Sequence, residues 1–259
     1  MAVWHLTFPT DSRFPMFRDE RTRRRAIRRL VALHGRLALF SQVDTHLHDV
    51  PVGSRTEAGR VSQRVVQAMR KRFKLDLQPA DIRPVRDRSH MLWLVRYVLT
   101  QGPHHRIPGD PATDTGSCFL DLIGARVIEG LELVVNTVLP RLSKMDLCQM
   151  VGLPEVPQPA TVEQIRRVGV VRLWDAACAA LCVGPDAAGN SVPEVMARRA
   201  AVQIGRAAGF SWADLALALG RPPRTVHRLA AAVVPEAVLD AVRLRIDLEL
   251  LAAERGRGG

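Results

Sequence analysis

The run Leu37-Ala-Leu-Phe-Ser-Gln-Val43 and, after Asp44, Thr45-His-Leu-His-Asp-Val-Pro-Val52 decide the fold. Both runs are short, apolar and bounded by Gly35 and Gly53, which predicts two paired β-strands rather than helices. In an extended strand alternate side chains share a face. His46 and His48 therefore point the same way, about 6–7 Å apart along the chain, and Asp49 points the other way.

Reading outward, Ala2 to Phe8 is β-prone, and Arg18 to His34 carries Ile27, Leu30, Val31 and Leu33 at helical spacing up to Gly35. Ser54 to Lys74 repeats that pattern with Val61, Val65, Ala68, Met69 and Phe73. Ile82 to Val85 is a last strand, and Ser89 to Gln101 a third helix stopped by Gly102-Pro103. The order β-α-β-β-α-β-α predicts an α+β fold with helices on one face of an antiparallel sheet.

Residues 102–117 read as a Pro/Gly-rich linker. Beyond them the pattern is helical: Cys118 to Leu139, Thr161 to Leu181, Pro193 to Ala208, Ser211 to Leu219, Arg224 to Ala232 and Pro235 to Glu254. Val151 to Ala160, with Pro154, Pro157 and Pro159, is a stiff connector. The expected organisation is a first domain over 1–107, a linker and connecting helix over 108–159, and an all-α domain over 160–259.

A chain of 259 residues with 47% hydrophobic and 24% charged residues has ample material for a core and is not of disordered composition. No apolar stretch approaches the ~20 residues of a membrane helix and no signal peptide is evident, so the expectation is a soluble, cytoplasmic, nucleoid-associated protein without a membrane partner. Four cysteines without a CxxC pair argue against a disulfide scaffold or zinc finger. The net charge of +11 is unevenly placed: residues 1–107 hold 21 basic and 9 acidic side chains, the remainder 16 and 17. A domain biased this way suits a polyanion such as DNA. Arg21, Arg23, Arg24, Arg25, Arg28 and Arg29 crowd the first helix, and Arg21, Arg24, Arg25 and Arg28 are the candidate DNA contacts.

Two imidazoles side by side can grip one divalent cation. The one tyrosine of the chain, Tyr97, lies one helical turn before Gln101. A phenol can attack a phosphodiester if a metal polarises the phosphate, and two histidines with an amide oxygen leave positions open for phosphate oxygens.

From Val3 to about Ile107 the chain resembles the single-tyrosine HUH transposases, in particular the REP-associated tyrosine transposases. The resemblance rests on the element order, the basic first helix, His46-Leu47-His48, and Leu94-Val-Arg-Tyr-Val-Leu-Thr-Gln101. It implies a ferredoxin-like HUH sheet, His46, His48 and Gln101 as ligands of Mg²⁺ or Mn²⁺, and Tyr97 as the nucleophile forming a 5′-phosphotyrosine link. The implied activity is that of a single-strand DNA endonuclease and strand transferase acting on hairpin or repeat DNA. Where relatives carry Pro-Asn before the histidines this chain has Asp44-Thr45, and Gln101-Gly102-Pro103 replaces their Asn-Pro turn.

In the second half, Ser211-Trp-Ala-Asp214 reads as a capping box opening a helix that ends at Gly220. A second helix follows Pro222-Pro223, giving the outline of a helix-turn-helix. Arg221, Arg224, Thr225, His227 and Arg228 form its candidate duplex-reading face, over a core of Leu215, Leu219, Val226 and Leu229. Residues 160–232 resemble the DNA-binding C-terminal domain of the replication initiator DnaA. A helical packing module is the competing reading of this half, and a domesticated, non-catalytic DNA-binding regulator the competing reading of the whole. Monomer and homodimer are both open.

Overall fold

The computed structural model describes residues 1–10, 15–105, 109–187 and 189–256. These residues form two compact units: residues 1–122 with 129–156, and residues 123–128 with 157–256. The boundary expected at 107–108 lies outside the described residues. Among the described residues no helix is long and apolar enough to cross a membrane.

The first unit is α+β. Its strands β1 (Trp4–Pro9), β2 (Leu37–Gln42), β3 (His46–Pro51) and β4 (Asp81–Pro84) form one antiparallel sheet in the order β2-β3-β1-β4. Helix α1 (Glu20–Val31) joins β1 to β2, and α2 (Arg55–Phe73) joins β3 to β4. Both open on side-chain caps, with Asp19 accepting from Thr22 N–H and Ser54 forming a capping box with Glu57.

The register sets which residues share a face. Thr7 lies opposite His48, and His48 opposite Ser41, while Leu6 and Phe40 lie opposite Asp49. Leu6, Phe8, Phe40 and Leu47 are fully buried on the Asp49 face, each such side chain being worth about 1.5–3 kcal/mol. That face takes α1: Arg23 Nη2 donates to the Gln42 carbonyl at 2.6 Å, and His34, just past the helix, reaches Asp49. Helix α3 (Arg88–Leu99) packs on the opposite face, over the histidines. The expectation of helices on one face thus holds for α1, and α3 departs from it. Periodicity identifies a helix but not the side of the sheet on which it lands.

Gly102-Pro103 does not simply end α3. The helix stops at Leu99, and a four-residue helix α4 (Gln101–His104) contains both residues. Pro103 has no N–H to give the Leu99 carbonyl, so the break falls four residues ahead of it. The single helix expected over Cys118 to Leu139 is also corrected. It is two short pieces, α5 (Phe119–Ile123) and α6 (Val135–Val138), because Gly124 and Gly130 take φ of 89° and 77°. The residues just before each piece cover the edge of β2, with Cys118 N–H donating to the Phe40 carbonyl at 3.2 Å and Val134 N–H to the Leu37 carbonyl at 2.9 Å. An edge strand is thereby closed to outside pairing. Helix α7 (Lys144–Met150) completes this unit.

The second unit is all-α: α8 (Val162–Ala180, kinked at Gly169), α9 (Val192–Ala207), α10 (Trp212–Ala218), α11 (Pro223–Ala230) and α12 (Glu236–Arg255). Leu173, Ala177, Ala201, Ile204, Leu215, Val226 and Val242 are among its core residues. Gly205 sets the close approach of α9, since a Cβ there would stand 2.7 Å from Leu215 Cδ2 and 3.2 Å from Leu173 Cδ2. All four cysteines of the chain are buried and none is in a disulfide.

Candidate active site

Strand β3 presents His46 and His48 side by side, with ring centroids 4.5 Å apart. Gln101, buried at the start of α4, aims its amide at both. Its Oε1 is 3.3 Å from His46 Nε2 and 3.2 Å from His48 Nε2. The amide cannot turn freely, because Gln101 Nε2 donates to the Tyr97 carbonyl at 2.8 Å. The break at Thr100 therefore keeps Gln101 within reach of Tyr97 while bringing it over the strand.

The outer imidazole nitrogens are held as well. His46 Nδ1 lies 2.9 Å from Thr45 Oγ1, and His48 Nδ1 lies 3.0 Å from His5 Nε2 and 3.4 Å from Thr7 Oγ1. With hydrogens on the two Nδ1 atoms donated to these neighbours, both Nε2 lone pairs turn toward Gln101 Oε1. Second-sphere partners of this kind fix the tautomer and orientation of a metal-ligating histidine. Burial, then the neighbouring imidazoles, lowers the His48 pKa to about 3, and burial with the charges of His90 and Arg83 lowers His5 to about 4. His46 is lowered by burial and by His105. All three rings are neutral at pH 7, the form that binds a cation.

Among the described residues no three of His, Cys, Asp and Glu are grouped to hold a metal ion. Here the third donor is an amide oxygen, that of Gln101. Donor atoms each about 2.1 Å from an octahedral Mg²⁺, at right angles to one another, stand ~3 Å apart. Gln101 Oε1 keeps about that spacing from both imidazole nitrogens, so the donor set fits a divalent cation.

The Tyr97 ring is half-buried beside this cluster, with its centroid 5.4 Å from that of His48 and 6.2 Å from that of His5. The structure thus gathers His46, His48, Tyr97 and Gln101 from β3, α3 and α4. It adds His5 and Thr7 from β1, which the sequence reading missed. The signal was the same alternation that picked out the histidine pair: residues 5 and 7 share a face, and antiparallel pairing brings that face beside His48. His105 also joins, 4.7 Å from His46 between ring centroids.

The basic residues separate into two groups. Arg24 is buried and holds Glu20 at 2.9 Å, and Arg23 is tied to Gln42 and, at 3.3 Å, to Asp114. Arg21 and Arg25 are exposed and Arg28 half-buried, on a helix across the sheet from the histidines. In the second unit Arg224 and Arg228 are exposed one turn apart on α11, with Arg221 and Thr225 half-buried. His227 stacks on Trp212 with ring centroids 3.9 Å apart, and the Arg206 guanidinium lies over the Trp212 ring, 4.2 Å from its centroid.

Among solved structures the chain is similar to that of a REP-associated tyrosine transposase bound to a REP hairpin. The identity is 15% and the TM-score 0.36, over 46% of this chain and 76% of that one. No family model and no curated protein matches the sequence. The functional reading accordingly rests on the residues and their geometry.

Proposed function

We propose that the first unit is a metal-dependent, single-tyrosine DNA nuclease and strand transferase of the HUH type, built on a ferredoxin-like sheet. The observation that carries this reading is the placement of Gln101 Oε1 within 3.3 Å of both His46 Nε2 and His48 Nε2, with Tyr97 one turn away on the same surface. His46, His48 and Gln101 would hold Mg²⁺ or Mn²⁺. The bound cation would polarise the phosphate and stabilise charge on the leaving oxygen.

Tyr97 Oη, giving its proton to solvent, forms the bond to phosphorus. The P–O3′ bond breaks, and its electron pair leaves with the 3′-oxygen, which is protonated by water. The products are a 5′-phosphotyrosine and a free 3′-hydroxyl, and attack by a second 3′-hydroxyl reverses the step. His5 and Thr7 orient His48 from behind and so act as positioning residues. The exposed Arg21 and Arg25, with Arg28, lie across the sheet from Tyr97 and would hold flanking duplex or a hairpin stem. In the second unit, α10 and α11 would serve as a helix-turn-helix reading duplex through Arg224 and Arg228, with Thr225 and Arg221 beside them.

The test is a denaturing gel of the full chain with Mn²⁺ and hairpin-forming single-stranded DNA. A slow-migrating protein–DNA adduct is expected, lost with chelator and in Tyr97→Phe. An adduct that persists in Tyr97→Phe removes the nucleophile. Salt-sensitive binding without any adduct replaces the nuclease by a DNA-binding regulator.

A further inference from the structure

Resting on that reading, we infer that Trp93 is the stacking platform for an unpaired base of single-stranded DNA adjoining the phosphate attacked by Tyr97. Trp93 is a large aromatic residue left 56% exposed on α3. A scattered surface tryptophan needs no explanation, but this one has a defined setting. Its ring lies parallel to that of Tyr97, 4.9 Å between centroids and 10° between planes. One face of the indole is thus fixed against the proposed nucleophile, while much of the residue remains in solvent.

Trp93 also lines a cleft of ≈ 890 Å³ together with His5, Thr7 and Tyr97 and with Arg83, Arg86, His90 and the aspartates Asp81 and Asp87. The cleft is continuous with the histidine cluster through His5, whose Nε2 is 3.0 Å from His48 Nδ1. Its wall is rigid where it matters, because Arg86 N–H donates to His90 Nδ1 at 3.2 Å, and Asp87 caps α3 through His90 N–H at 2.8 Å. Arg83 is paired with Asp81 at 2.6 Å. Arg86 extends from the same wall and is exposed.

A planar aromatic surface and a cationic side chain lining one cleft match one nucleotide, with the base on the indole and the phosphate at the guanidinium. Single-strand binding proteins combine stacking and charge in the same way, and because every base has a π-face such stacking tolerates sequence. A base seated on Trp93 extends the Tyr97–Trp93 stack by one ring and leads the adjoining phosphate toward Tyr97.

The experiment uses the full chain carrying Tyr97→Phe, so that no covalent capture intervenes, in Mn²⁺. Fluorescence anisotropy measures its affinity for a labelled twelve-residue oligothymidylate and for a twelve-mer with the same phosphates but abasic sugars. Adding Trp93→Ala is expected to weaken oligothymidylate binding roughly 5- to 100-fold and leave the abasic strand unaffected. Trp93→Tyr should restore most of the difference. Equal affinity for oligothymidylate with and without Trp93, or equal losses for both strands, would overturn the inference. So would tighter binding of oligouridylate than of oligothymidylate, which would assign the cleft to RNA. The nuclease reading fails separately: no adduct in the protein with Tyr97 intact, alongside Trp93-dependent base preference, leaves a single-strand binding cleft and removes the chemistry.

Discussion

His48 and Asp49 are neighbours on β3, both buried, yet they face opposite sides of one sheet into opposite electrostatic surroundings. On the Asp49 side the nearest titratable partner is His34, with Nε2 3.3 Å from the carboxylate. Burial alone would lower the His34 pKa, but the nearby Asp49 charge, with the Leu30 carbonyl at 2.9 Å, raises it overall. On the His48 side Asp81, opposite Thr7, is exposed and paired with Arg83 at 2.6 Å, and its charge on His5 does not offset burial. Burial and neighbouring imidazoles hold His48 near 3 and His5 near 4. The same residue type is drawn toward its protonated form by a carboxylate on one face and held neutral on the other. What separates the two is one step along a strand.

The largest effect is expected on the Asp49 face. Replacing one member of a buried ion pair leaves the other without compensation, typically at 3–5 kcal/mol. Because His34 can release its proton, Asp49→Asn should cost about 3 kcal/mol, at the low end of that range, as measured by urea unfolding at pH 6. The sign of the pH dependence sharpens the contrast. A histidine with a raised folded pKa contributes stability that is complete below the ordinary value near 6.5 and is lost as pH rises through the folded pKa. Stability should therefore fall above pH 6.5 in the unaltered protein, and that segment should flatten in Asp49→Asn. Retention of the slope would place the ion pair elsewhere.

The next effect belongs to the histidine face. His5→Ala removes the nearer partner of His48 Nδ1, leaving Thr7 Oγ1 at 3.4 Å, without altering a proposed ligand. Loss of a second-sphere partner typically weakens metal binding 10- to 100-fold. Calorimetric titration with Mn²⁺ should show that loss, whereas His5→Gln, which keeps a hydrogen-bonding side chain, should recover part of it. Unchanged Mn²⁺ affinity in His5→Ala would leave His5 a packing residue.

Both faces were partly legible in the sequence, and the limit was the same for each. Alternation along β3 placed His46 with His48 and turned Asp49 away, which depends only on the pleat. It could not supply His5 or His34, because those contacts depend on strand register and on where the chain leaves α1. The position of Gln101 was foreseen from helical spacing. The break that aims it came instead from the missing N–H of Pro103, whose effect falls at Leu99. Gly124 and Gly130 carried the signal that divides the segment after Cys118, but apolar content in that stretch outweighed it. In the second unit the Ser211–Asp214 capping box formed as read, since it needs only four consecutive residues.

The smallest expected effect repeats the lesson of the two faces on α1. Arg24 and Arg25 are adjacent, and composition treats them alike. Arg24 is buried with its guanidinium 2.9 Å from Glu20, whereas Arg25 is exposed. A phosphate contact releases counterions, so its removal lowers the steepness of the salt dependence by about one unit. Arg25→Ala should show that change in hairpin binding measured from 50 to 200 mM salt, with thermal stability within about 0.5 kcal/mol of the parent. Arg24→Ala should do the reverse, keeping the salt slope and losing stability through its buried stem and ion pair. If both variants shift the slope equally, α1 opens on binding and the burial of Arg24 does not persist in the complex. If neither does, the positive charge of the first unit meets DNA through other side chains, with Arg86 in the Trp93 cleft the first to replace.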